Sequence, residues 1–262
     1  MDILRMGAVS FLNSRPLVRG LERWPERFRI RYDLPRACAD LLHAGAIDVG
    51  LVPSIEYLCG DYRAVPDAAV VSDGPVRSVA LFAAVPIERI RTIALDTSSR
   101  TSVALLRVLC ARHFGIAPGF VEHRPAIDAM LRAADAALLI GDPALLLEHA
   151  LKGLQKIDLG AEWKAMTGLP FVYAFWTGRP GVLTTADVIV MQQARAEGEA
   201  DPDGVARLFF DGDPVAQRIG GEYLRENIQF RMGERELAGV ERFYGLAADV
   251  GASGPAKSVE FY

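Results

Sequence analysis

Cysteine is scarce in this 262-residue chain: Cys38, Cys59 and Cys110 are odd in number, far apart and free of any CxxC spacing. That excludes a disulfide framework and predicts reduced thiols buried as small hydrophobes. Runs of basic residues are missing too; 29 Lys and Arg against 33 Asp and Glu leave a formal net charge of −4. A nucleic-acid binder would show a basic footprint, so that partner class is excluded. No apolar stretch is long enough to span a bilayer, so no membrane insertion is expected. The opening MDILRMGAVSFLN has too short an apolar run for a secretory core and no small-residue cleavage site, so a soluble, cytoplasmic protein is expected. Walker A, HExxH and GxSxG sequences are lacking, as is a GxGxxG after the first strand, which removes the nucleotide, dinucleotide, zinc-protease and common hydrolase readings. His43, His113, His123 and His149 have no metal-like spacing and read as surface or packing residues, with His123, at a strand end, the one worth testing. Neither metal nor cofactor is expected.

Hydrophobic residues make up 51% of the chain, enough to bury a substantial core. In the first half, short β-rich runs alternate with helical stretches: ILRMGAV and a helix from about Ser14, FRIRYDL and PRACADLLHAG, IDVGLV and PSIEYL. Such βαβ alternation predicts a mainly parallel sheet covered by helices. Pro35 and Gly45 bracket the second helix, as an N-terminal proline and a C-terminal stop. AAVVSD and VRSVALFAAV, separated by Gly74 and Pro75, suit strands crossing between lobes. A second alternation follows: TIALD, a helix over SSRTSVALLRVLCARHFG, FVEH, a helix from about Pro125, AALLI and DPALLLEHAL. Residues 39–58 and 129–147 echo each other as helix, acidic residue, apolar strand, turn and helix. The expected fold is α/β in two lobes, 1–85 plus 180–262 and 86–179, with a ligand cleft between them. The C-terminal helices pack back on the first lobe, and the tail GASGPAKSVEFY is expected to be loosely held.

GAVSFLNSRPL, residues 7–17, places Ser10, Asn13 and Ser14 where a parallel strand gives way to a helix. Open α/β sheets bind ligands at such junctions; the same residues serve equally as caps and turn formers. IALDTSSRTSVALL repeats the arrangement, delivering Thr97, Ser98, Ser99, Arg100, Thr101 and Ser102 into a helix start, more polar groups than one cap requires. If the lobes face each other, two helix N-termini converge on one cleft, which suits a ligand with two carboxylates. Other strand ends contribute Ser54 and Glu56, Ser78, Gly141 and Asp142, and Phe171 and Tyr173. Glu56 and Asp142 are the candidate carboxylates, though each lies at a helix start, where an acid is stabilising without catalysis.

GAVSFLNSRPL, AIDVGLVPSIEY, GPVRSVALF, DTSSRTSVALLRVL and LPFVYAFW, in that order, resemble the menaquinone-biosynthesis enzymes of the futalosine route, most closely its chorismate dehydratases. The resemblance spans about residues 3–245. It implies a type II periplasmic-binding-protein-like fold and a cofactor-free carbon-oxygen lyase that takes water from the dicarboxylate chorismate, giving 3-[(1-carboxyvinyl)oxy]benzoate. On that reading Asn13 and Ser78 hold the reacting region as the catalytic pair. Ser10, Ser54, Ser98, Ser99, Arg100, Thr101, Ser102, Gly141, Asp142 and Phe171 bind substrate. No matched motif offers a clear His or Lys base, so the substrate's own enolpyruvyl carboxylate is the expected proton acceptor. A solute-binding protein of the same fold, or the sister 1,4-dihydroxy-6-naphthoate synthase, is the alternative; SFLNSRP departs from the Cys-Pro-Asn-Asp type loop of the latter.

Overall fold

The structure, a computed structural model, describes residues 2–147 and 153–262, so His149 lies outside the described residues. The chain runs β1 (Leu4–Val9), β2 (Phe28–Asp33), α1 (Pro35–His43), β3 (Val49–Pro53), β4 (Arg63–Ser72), β5 (Val79–Ala83), β6 (Thr92–Asp96), α2 (Arg100–Leu109), β7 (Gly119–His123) and α3 (Ile127–Ala133). It continues through β8 (Ala136–Ile140), α4 (Gly141–Leu147), β9 (Gln155–Asp158), α5 (Leu159–Thr167) and β10 (Phe171–Gly178) into α6 (Thr185–Ala200), α7 (Pro202–Phe209), α8 (Pro214–Glu226) and α9 (Glu234–Asp249). β3, β5 and β8 are buried along their whole length, as near-continuous apolar runs require of central strands covered on both faces. α1 starts on Pro35 and stops before Gly45, which takes φ +70°.

The strands form two sheets, ordered β2-β1-β3-β10-β4 and β7-β6-β8-β5-β9. In each, three neighbours are parallel and the fourth, β10 or β5, runs antiparallel to the strand on either side. The same unit is built twice, with β1 matching β6, β2 matching β7 and β3 matching β8. The sequence echo between 39–58 and 129–147 falls on corresponding pieces, α1 with β3 and α3 with β8. The sheets are mixed rather than mainly parallel because each unit borrows one strand through a crossing. β5 joins the second sheet and β10 the first, each on the other side of the division expected at residues 85 and 179.

Local chemistry explains the other departures. The helix expected from Ser14 is a 3-10 turn over Leu12–Leu17 with Pro16 inside it. A proline there removes an N–H and pushes the preceding residue away from α geometry. PSIEYL is likewise a 3-10 turn, Ser54–Cys59. The first turn is pressed against α6, where a Cβ on Gly198 would collide with the Pro16 carbonyl oxygen. The tail is not loose: the Ala64 N–H donates to the Glu260 carbonyl, the Tyr262 N–H to the Ala64 carbonyl, and the Tyr262 hydroxyl to the Arg179 carbonyl at 2.6 Å. It therefore extends the first sheet alongside β4.

Cys38 and Cys110 are buried, and desolvation pushes each thiol up to about 12. Cys59 is exposed, contrary to expectation. Among the described residues no helix is long and apolar enough to cross a membrane.

Arg27 clamps Asp187 through two hydrogen bonds, at 2.6 and 2.5 Å, and Asp187 also accepts from the Thr184 N–H and hydroxyl at the start of α6. The Asp187 side chain is 5% exposed, and the guanidinium holds its carboxyl down at about 2. A depressed carboxyl stabilises the fold above its unfolded value near 3.9 and loses that contribution as pH falls toward 2. Asp187→Asn should lower the melting temperature at pH 7 and cost about 2 kcal/mol by urea unfolding, with the gap from wild type closing between pH 4 and 2. A gap constant across that window would contradict the ion-pair account.

Candidate functional site

The C-terminal ends of the parallel strands in the two sheets face each other, and the polar junctions meet there. Phe11, Asn13 and Ser14 after β1, Pro35 after β2, Pro53 at the end of β3, Ser99 and Ser102 at the start of α2, Gly141 after β8 and Tyr173 on β10 enclose a cavity of about 50 Å³. In this conformation it has room for a few waters. The position is where doubly wound sheets bind ligands. Asn13, Ser14, Ser99, Ser102 and Tyr173 supply the polar groups; the described lining includes no Asp, Glu, His, Lys or Arg. The first helix N-terminus on this cleft is α1, beginning at Pro35, rather than the turn at Ser14. Opposite it, the Ser99 hydroxyl caps α2 by accepting from the Ser102 N–H and donates to the Ser102 hydroxyl.

Asn13 and Ser78 are joined through a residue that motif reading missed. The Asn13 Nδ2 donates to the Tyr223 hydroxyl at 3.1 Å, and that hydroxyl lies 2.7 Å from the Ser78 Oγ. Tyr223 on α8 is 1% exposed, and burial pushes its phenol upward, so it stays protonated and has one hydrogen to give. Ser78 is also 1% exposed; it stands behind Tyr223 and supports Asn13 rather than facing the cavity. The available signal was chemical: a Tyr in a buried helix face needs a partner for its hydroxyl.

Across the cavity mouth, the Asp142 carboxylate accepts from the Leu12 N–H at 3.1 and 3.3 Å. Desolvation pushes the Asp142 carboxyl up to about 6. Gly141 takes φ +66°, and a Cβ there would lie 2.7 Å from the Phe11 ring, so only glycine lets the two loops close.

Several expected ligand residues are engaged elsewhere. Phe171 sits in an aromatic core, its ring centroid 4.7 to 5.2 Å from Tyr173, Phe243 and Trp163. Arg100 ties the units together, Nη1 reaching both Glu56 oxygens at 3.1 Å and Nη2 reaching Asp40 at 2.7 Å. Ser54 donates to the Val172 carbonyl, Thr101 Oγ1 accepts from the Ile55 N–H, and Ser98 N–H and hydroxyl both donate to Asp96. Buried, Asp96 keeps a raised carboxyl in spite of those donors. The Ser10 N–H donates to the Asp33 carbonyl, extending the β1–β2 ladder. Of the ten expected binders, Ser99, Ser102 and Gly141 line the cavity, and Asp142, next to Gly141, bonds the Leu12 N–H.

A larger cleft of about 730 Å³ opens beside α2, between Arg36, Arg107, Phe120 and Gly251. Within it Arg100 pairs with Glu56, and it shares Ser99 with the smaller cavity, which gathers residues from the ends of β1, β3 and β8 together with the start of α2. At the rim, ligand atoms of His43, Glu56 and Cys59 come within 4.8 Å of one another. Glu56 there accepts from Arg100 and lies 2.7 Å from His43 Nε2, while His43 Nδ1 lies 2.7 Å from the Tyr62 hydroxyl. The fold assembles this trio from a helix and a turn. His113 pairs with Glu162, and His123 Nδ1 bonds the Arg124 carbonyl.

The architecture is similar to that of a structural-genomics protein from Archaeoglobus fulgidus, with a TM-score of 0.77 at 17% identity over 95% of this chain and 98% of that one. It is also similar to the periplasmic aliphatic sulphonate binding protein of Escherichia coli, at TM-score 0.67 and 17% identity over 98% and 90% of the two chains. The fold is therefore the periplasmic-binding-protein-like one. In sequence the chain is 31% identical to the chorismate dehydratase of Thermus thermophilus, over 87% of this chain and 94% of that protein. The family model described as menaquinone biosynthesis matches residues 4–249. With nearly the whole chain matched by that model and by a relative of that identity, the protein belongs to the menaquinone-biosynthesis family.

Proposed function

We propose that this protein is a carbon-oxygen lyase that eliminates water from chorismate to give 3-[(1-carboxyvinyl)oxy]benzoate, with the reaction held in the cavity between the two sheets. The observation that carries the reading is the chain Asn13–Tyr223–Ser78, which presents a fixed amide to a site without ionised side chains in its described lining. Family membership and the name of the Thermus thermophilus relative supply the substrate.

The chemistry follows from the bonds. The C–H bond of the ring carbon bearing the enolpyruvyl ether breaks, and its electron pair spreads through the diene toward the ring carboxylate. The neighbouring C–O bond then breaks, the hydroxyl leaves as water with a proton, and the ring becomes aromatic. Loss of water changes no net oxidation state, so no external oxidant or reductant is required. Donors at the α2 N-terminus, with the Ser102 hydroxyl, which is polarised by the bond it accepts from Ser99, stabilise the charge that builds on the ring carboxylate. The enolpyruvyl carboxylate acts as the base, and Asn13 holds the side chain that carries it near the reacting carbon. The lobes part to admit the substrate and close to exclude water, since the cavity of about 50 Å³ is too small for it in this conformation.

Incubation with chorismate and a chelator, followed by chromatography with mass detection, should show loss of one water. Saturable chorismate binding without turnover would favour a solute receptor of this fold, and neither binding nor turnover would overturn the substrate assignment.

Asn13→Ala should lower kcat about a hundredfold through lost positioning, while near-wild-type kinetics would remove Asn13 from the reacting region. Tyr223→Phe, which deletes the shared hydroxyl with little change of shape, should lower kcat about tenfold; unchanged kcat would show that the chain through Tyr223 is idle.

A further inference from the structure

The contacts around the cavity form a closed ring. Starting from Asp142, the carboxylate accepts from the Leu12 N–H; the next residue, Asn13, donates from its side chain to Tyr223; Tyr223 meets Ser78; and the Ser78 carbonyl accepts from the Gly141 N–H at 2.7 Å, the residue before Asp142. The Asn13 side chain is thereby held by α8, and the main chain of the preceding residue, Leu12, is held by the segment that follows β8 in the opposite sheet. Asp142 opens a helix, where a carboxylate ordinarily caps its own first turn. Among the described residues its hydrogen bonds instead go to Leu12, across the gap between the sheets. The packing is equally specific: the Phe11 ring lies on the open face of Gly141, which a side chain would block. A partly buried carboxylate with one main-chain partner is a costly way to join two lobes, and that partner, Leu12, one residue before the reacting amide, gives it a purpose.

We propose that Asp142 is a positioning residue: by gripping the Leu12 N–H it sets the Asn13 amide, so that the reacting geometry is complete only when the two lobes are closed on each other. This rests on the reading that Asn13 acts on the substrate. Asp142 does not touch the substrate; it needs only to accept a hydrogen bond. Asparagine retains an acceptor oxygen and alanine does not.

The test is a double-mutant cycle with an independent structural readout. D142A should lower kcat about tenfold while D142N restores it, with melting temperatures compared to exclude misfolding. N13A/D142A should be no slower than N13A alone, because the two residues act in series. Without substrate, the Asn13 side-chain amide signal in 15N-labelled protein, assigned by its loss in N13A, should move in D142A and stay in place in D142N. Full kcat in D142A, multiplying losses in the double variant, or an amide signal unmoved by D142A would each overturn the proposal. Wild-type protein inert toward chorismate would refute the assigned reaction instead, and the amide signal would still decide the role of Asp142.

Discussion

The hydroxyl of Tyr223 is the point on which the candidate site depends. A buried phenol must find hydrogen-bond partners, and the partners it has are one residue from the turn after β1 and one from the crossing between β4 and β5. Three segments distant in sequence are thus held to one atom. The helix that carries Tyr223 belongs to the C-terminal run α6 to α9, and Gly220 on the same helix leaves room for Leu12. Those helices do more than cover the first sheet; one of them completes the site.

The duplicated architecture explains why a site exists between the units at all. Each unit ends its parallel strands toward the other, so two sets of strand-end loops face one another across a gap. β5 and β10, antiparallel members borrowed through the two crossings, make the units one body, and the main apolar core runs through both sheets without interruption. Beside that core and the packing of Phe11 on Gly141, polar bridges also cross the gap, among them Leu12 to Asp142, Arg36 to the Ser98 carbonyl, Ile55 to Thr101 and Arg100 to Glu56.

Much of this was legible in the sequence because it is local. Apolar runs followed by Ser, Asn or Gly marked the ends of β1, β3 and β8 that meet at the cavity, and Pro35 and Gly45 set the limits of α1. The five-motif resemblance pointed to the family that the comparisons support. What failed was information carried by distance. Arg100 and Phe171 have the types expected of ligand contacts, but Glu56, Asp40 and the Trp163 ring, which occupy them, lie tens of residues away or in another element. Tyr223 has no motif around it, and its role appears only once α8 is packed over Leu12. The tail reads as small and polar, yet its last residues pair with Ala64 through main-chain groups that side-chain composition does not describe.

On the proposed reading, the small cavity between the sheets, rather than the larger cleft beside α2, holds the substrate. A crystal structure of the protein with the bound product, 3-[(1-carboxyvinyl)oxy]benzoate, tests this most directly. Both carboxylates should lie between the strand ends, one at the α2 N-terminus and the Ser102 hydroxyl and the enolpyruvyl group within hydrogen-bonding reach of Asn13. Product seated instead between Arg36, Arg107 and Phe120, with Asn13 out of reach, would contradict it.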